Sequence, residues 1–142
     1  MDVIEADFPF EEVLALPLFA HLATASEDGP RESPTWFLYE DDVLWLIGKT
    51  SDSFIKRIER DPRVAVGIVD FDHEQGKLRH VGIRGHAAVI PIEHSRLHRF
   101  LGRYLGEPPW NSSFKSTVID KLDRMVMVQP ETIVARDQSY FK

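Results

Sequence analysis

The sequence predicts a mainly β fold: a small six-stranded antiparallel barrel flanked by short helices. Three observations lead there. Short apolar segments with β-type alternation are separated by turn signals such as Glu27-Asp28-Gly29 and Glu40-Asp41-Asp42. One long alternating run, Leu78 to Ile90, reads as a single strand. Helical periodicity is confined to a few short stretches, and about six strands on 142 residues suit a small closed sheet in one domain spanning residues 1–142. Side chains fill the interior of so small a barrel, so a large ligand is expected outside it, at a subunit interface.

The elements follow in order. Phe10 to Leu16 carries apolar residues at helical spacing and is closed by Pro17. Phe19 to Ala25 reads as a strand, Glu27-Asp28-Gly29 as a hairpin turn, and Arg31 to Tyr39 as the return strand. Pro34 cannot donate to a ladder, so it marks an edge or a bulge. Val43 to Gly48 is the third strand, and Asp52 to Arg60 a helix with Phe54, Ile55 and Ile58 facing inward, ended by Pro62. Val64 to Phe71 is mostly apolar and reads as a strand covered on both faces. Along Leu78–Ile90 one face carries Arg79, Val81, Ile83, Gly85, Ala87 and Val89, and the other His80, Gly82, Arg84, His86 and Ala88. The more polar face is expected to meet solvent, a partner chain or a ligand. Glu93 to Leu105 is the clearest amphipathic helix, with Leu97, Phe100, Leu101, Tyr104 and Leu105 on one side and Gly106 at its end. Asn111 to Leu122 reads as a further helix, and Arg124 to Val128 with Thr132 to Arg136 as a closing strand interrupted at Pro130.

Composition removes several classes of function. The formal net charge is −6, and Lys and Arg are scattered, so no nucleic-acid partner is expected. The chain has no cysteine, which excludes disulfides, thiolate catalysis and cysteine-ligated metal sites. MDVIEADFPF lacks the apolar core of a secretory signal, and no apolar stretch approaches the roughly 18 residues of a membrane helix. A cytoplasmic protein without a membrane partner is the expectation. G-x-S-x-G, P-loop and G-x-G-x-x-G motifs are all missing, so hydrolase and nucleoside-triphosphatase chemistry has no support.

The hydroxyl-rich turn Thr50-Ser51-Asp52-Ser53, between a buried strand and a helix, is a candidate anion site, because helix N-termini present free N–H groups and a positive dipole end. The same residues also suit plain helix capping. His94 and His98 have the spacing of a metal-binding pair, but Ser95 stands where an H-E-x-x-H motif needs glutamate, so a solvated face is expected. Asp70-Phe71-Asp72-His73-Glu74 lacks the pattern of a calcium loop and reads as a solvated turn.

Several stretches together resemble the pyridoxamine 5'-phosphate oxidase-like family of flavin-binding split barrels: Leu22-Ala23-Thr24 followed by Asp28-Gly29, Arg31 to Phe37 (RESPTWF), Asp61-Pro62-Arg63-Val64, and Gly82 to Ala87 (GIRGHA). Their order and spacing cover roughly residues 18–105. The resemblance implies a homodimeric split barrel with flavin mononucleotide (FMN) in each of two interface clefts. It places Arg31, Glu32, Ser33, Pro34, Thr35 and Trp36 along the flavin ring. It places the phosphate at the turn Ile47, Gly48, Lys49, Thr50, Ser51 and Ser53, with Phe54 beside it and Lys56 one turn on. Trp110 is expected to close over the cleft from the partner chain.

The chain departs from the family pattern where many members carry an Arg-Lys pair; here Ser53-Phe54 occupies that place. Trp36 stands where vitamin-oxidising members place lysine, so pyridoxamine phosphate is not the expected substrate. The resemblance therefore implies an FMN-dependent oxidoreductase acting on another small molecule, with hydride transfer at flavin N5 and no side chain needed as acid or base. The alternatives are a deazaflavin cofactor, a haem served by His80 or His86, a non-catalytic binding module, or a degenerate cleft filled in part by Phe54.

Overall fold

The computed structural model describes all 142 residues. Eight strands form one sheet: β1 (Asp2–Ala6), β2 (Ala20–Thr24), β3 (Arg31–Thr35), β4 (Phe37–Glu40), β5 (Val43–Gly48), β6 (Arg63–Asp72), β7 (Lys77–Pro91) and β8 (Arg124–Asp137). The helices are α1 (Glu11–Leu14), α2 (Ser53–Arg60), α3 (His94–Leu105) and α4 (Ser112–Thr117), the last followed by a 3-10 turn at Ile119–Lys121.

The sheet order is β3-β2-β6-β7-β8-β5-β4, with β1 added in parallel to β8. Its two terminal strands, β3 and β4, are separated in the chain by Trp36 alone. The sheet therefore curls until its two edges meet on one bent strand, which makes a six-stranded antiparallel barrel. The break falls at Trp36, two residues after Pro34; Pro34 itself stays in register opposite His21. It is tolerated because β3 has β2 as its only ladder neighbour.

Leu22, Phe37, Leu44, Leu46, Val66, Ile68, Val81, Ile83, Val126 and Val128 fill the barrel, and Ile55 and Ile58 of α2 with Val13 and Leu14 of α1 pack against them. A second cluster lies on the other face of β5 and β8, where Val43, Trp45, Ile47 and Met125 meet Phe100 of α3. β5 is thus buried at all six positions, which explains its unbroken apolar run.

Three expectations change. β6 is covered on one face only: Val69 and Phe71 on the other are 38% and 55% exposed. β8 is continuous through Pro130, because a register shift between Arg84 and Gly85 absorbs the proline. A side chain at Gly85 would lie 2.1 Å from the Gln129 carbonyl oxygen, so glycine is required there. Asp70 is buried at the end of β6, taking hydrogen bonds from Arg79 (2.8 Å) and an ion pair from Lys77 (3.1 Å), so the acidic stretch is no solvated turn at that position. At β4–β5, Asp41 and Asp42 both adopt left-handed φ (57° and 59°), the conformation of a two-residue type I′ hairpin.

Candidate functional site

The break between β3 and β4 shapes the site. Tyr104 of α3 reaches into it: its hydroxyl donates to the Leu18 carbonyl (2.6 Å) and accepts from the Phe37 N–H (3.1 Å). Its ring stacks on Trp36 with centroids 4.6 Å apart and planes 2° apart. Burial raises the Tyr104 phenol above its ordinary value, so it acts as a neutral donor.

Two recesses share Trp36 and Phe114 as a common wall. The first, about 380 Å³, is lined by Phe19, Pro34, Thr35, Trp36, Ile47, Phe114, Val118, Ile119 and Leu122. The second, about 370 Å³, is bounded by Trp36, Leu105, Pro109, Trp110, Asn111 and Phe114. Of the residues expected along a ring, Pro34, Thr35 and Trp36 meet in the first recess, where Ile47, the first residue of the expected phosphate turn, joins them. Arg31, Glu32 and Ser33 lie outside it, toward the hairpin: Arg31 stands 3.9 Å from Asp28, and Glu32 binds the His21 imidazole at 2.7 Å. Trp110 shares the second recess with Trp36 of its own chain, a placement the spacing did not suggest.

Ile47 leads directly into the turn Gly48–Asp52 and the N-terminus of α2. Asp52 is the N-cap residue, yet its carboxylate turns back to accept from the Lys49 N–H (2.8 Å), so no side chain caps the helix. The first-turn N–H groups of Ser53, Phe54 and Ile55 therefore have neither an intrahelical acceptor nor a capping one. Thr50 is tied by its N–H (2.8 Å) and hydroxyl (2.7 Å) to Asp123, at the start of β8. Those hydrogen bonds hold the Asp123 carboxyl below its ordinary value. Sequence reasoning missed Asp123, because nothing local marks a carboxylate more than 70 residues away in the chain.

Phe54 and Gly48 line neither recess: the Phe54 ring packs on the barrel core and lies against Gly48, where an added Cβ would meet it at 2.7 Å. Lys56 is exposed one turn along α2. The fit to a flavin-type cofactor is positive in kind: an apolar slot is walled by Ile47, and the turn that follows Ile47 carries Lys49 and leads to the uncapped N-terminus of α2, with Lys56 one turn on. The flanking carboxylates of Asp52 and Asp123 weaken it in charge. His80 and His86, considered for haem, do not converge. His86 binds Glu131, while the His80 ring lies against Gly82 and is held neutral by burial and by Arg136. No helix is long and apolar enough to cross a membrane.

A barrel closed on one bent strand, with a recess at the bend, defines a split-barrel protein. The family model for pyridoxamine 5'-phosphate oxidase matches residues 9–132, and the chain belongs to the pyridoxamine 5'-phosphate oxidase-like family. No curated protein matches it. Among solved structures, a conserved hypothetical protein from Mycobacterium tuberculosis is 25% identical with a TM-score of 0.72, over 96% of this chain and 87% of that one. An F420 reductase is 28% identical with a TM-score of 0.68, over 87% and 94%. An FAD-binding protein from Mesorhizobium loti is 18% identical with a TM-score of 0.65, over 91% and 92%, and is similar in fold.

Proposed function

We propose that the protein is an oxidoreductase that binds FMN as a homodimer and acts on a small molecule other than pyridoxamine phosphate. The observation that carries this reading is the apolar recess at the β3–β4 break, whose wall residue Ile47 leads in the chain into the turn before the uncapped N-terminus of α2. When bound, the cofactor supplies hydride transfer at its N5 position. Pro34, Thr35, Trp36 and Ile47 form one wall for its ring, and Phe114, Val118, Ile119 and Leu122 exclude water from the other side. The Ser53 hydroxyl, the first N–H groups of α2 and the ammonium groups of Lys49 and Lys56 receive its phosphate. No side chain is assigned proton transfer. The open outer face of β6, with Val69 and Phe71 exposed, suits burial by a second copy.

A deazaflavin in the same recess is the second reading, favoured by the 28% identity to an F420 reductase. The test is equilibrium titration of the purified protein with FMN and with the deazaflavin, followed by gel filtration. Retained FMN, one per chain, with absorbance near about 450 nm and reduction by a nicotinamide cofactor supports the first reading. Retention of the deazaflavin alone supports the second. Retention of neither overturns both.

A further inference from the structure

The recess at the α3–α4 connection is walled almost wholly by rings and hydrocarbon. Trp36, Leu105, Pro109, Trp110 and Phe114 supply five of its six lining residues, and Asn111 is the sixth. No lining residue carries a charge, whereas three other recesses on the molecule each include at least two arginines. An ion entering here would lose water without gaining a counter-charge. The volume, about 370 Å³, falls within the range of small-molecule pockets, roughly 300–1,000 Å³.

Two of its rings are held by residues that do not line it. Tyr104 stacks on Trp36 with planes 2° apart and covers one face of the indole. The Trp110 indole N–H donates to the Gly106 carbonyl at 2.9 Å. Phe114 stands 6.1 Å from Trp36 with the planes tilted by 40°. Packing of α4 onto the barrel accounts for the approach of Phe114 to Trp36. It does not account for the space left open among Trp36, Trp110 and Phe114.

Asn111 supplies the recess's spare polar group. Its side-chain oxygen accepts from the Phe114 N–H (2.9 Å) as the N-cap of α4. A carboxamide also carries two N–H donors, and those of Asn111 have no acceptor in the chain.

We propose that this recess binds an uncharged aromatic compound that carries a hydrogen-bond acceptor, such as an aryl ketone. The ligand's ring lies among Trp36, Trp110 and Phe114, and its oxygen accepts from the Asn111 amide. The recess shares Trp36 and Phe114 with the one proposed for the flavin ring, which suits its occupant to be the substrate. That role rests on the proposed function; the binding itself does not.

The test is calorimetric titration of the full chain, free of flavin, with 2-acetylnaphthalene, 2-ethylnaphthalene and 2-naphthoate. The three share one ring system and differ in acceptor and charge. The ketone should bind one per chain, and the carboxylate at least about tenfold more weakly. Asn111→Asp keeps a cap for α4 and removes both donors. It should weaken the ketone by about tenfold and leave the hydrocarbon unchanged, and Asn111→Ser should do the same. Failure of the ketone to bind, naphthoate binding as tightly, or a ketone affinity unchanged in both variants would overturn the site. A repeat at saturating FMN separates this recess from the first: ketone binding should persist, and displacement by FMN would overturn the assignment. If FMN does not bind at all, the flavin-free titrations still decide the site, and only the substrate role falls with the proposed function.

Discussion

The ring of Tyr104 lies parallel to that of Trp36 at 4.6 Å, and its hydroxyl completes the hydrogen bonding that the strand loses at that residue. One side chain of α3 thus repairs the barrel's only bent strand and fixes the wall between the two recesses. Tyr104→Phe keeps the stack and leaves the Phe37 N–H without this partner, at an expected cost of about 1–2 kcal/mol in urea denaturation. Tyr104→Leu also releases Trp36, so ring binding should weaken further than stability alone requires.

Phe54→Lys tests the charge deficit of the turn. It places a cation where the chain has an aromatic ring against Gly48. FMN affinity, read by flavin fluorescence quenching, should rise by about tenfold. The protein should also lose about 1–3 kcal/mol, because the ring packs on the core. An affinity that stays flat would mean that the phosphate does not bind at this turn.

Asp123→Asn removes one of the two carboxylates beside the proposed phosphate site. The neutral amide can still accept from Thr50, so the turn should hold and FMN should bind a few-fold more tightly. A titration of affinity against pH checks the sign in the parent. Protonating Asp123 should improve phosphate binding only below the usual carboxylate range, because its hydrogen bonds from Thr50 lower its pKa.

Asp70 governs acid stability at the far end of the barrel. Burial alone would raise its pKa, but hydrogen bonds from Arg79 and Lys77 outweigh burial and lower it. A carboxyl lowered in the folded state stabilises above its unfolded value, and that contribution disappears as pH falls through the folded value. Thermal melts should therefore lose stability below the ordinary carboxylate range, and Asp70→Asn should flatten that dependence. The same variant should cost about 3 kcal/mol at neutral pH, since Arg79 loses its most buried partner.

Arg103 secures α3 to the end of α1. Its guanidinium donates to three successive carbonyls and lies 4.9 Å from the Phe37 ring centroid. Lysine cannot reproduce that fork, so Arg103→Lys should destabilise by about 1–3 kcal/mol, with early loss of hydrogen-exchange protection in α1.

The sequence by itself determined the strand and helix inventory, because alternation, turn residues and caps are local signals. Val43–Gly48 was legible to the residue, and the two faces of Leu78–Ile90 separated as read, with Val81, Ile83 and Ala87 buried. It also determined the family, through short motifs whose order survives substitution. β1, at the polar N-terminus, escaped, since its one ladder partner is β8, more than a hundred residues on, and so did the breaks that split Arg31–Tyr39 into β3 and β4 and Asn111–Leu122 into α4 and a 3-10 turn. Tertiary structure alone decided that the bend falls at Trp36 rather than Pro34, because the bend depends on where two sheet edges meet and where Tyr104 can reach. It alone decided which carboxylates sit on the turn at Thr50. Those facts depend on distances between residues remote in the chain, and no local pattern encodes such distances.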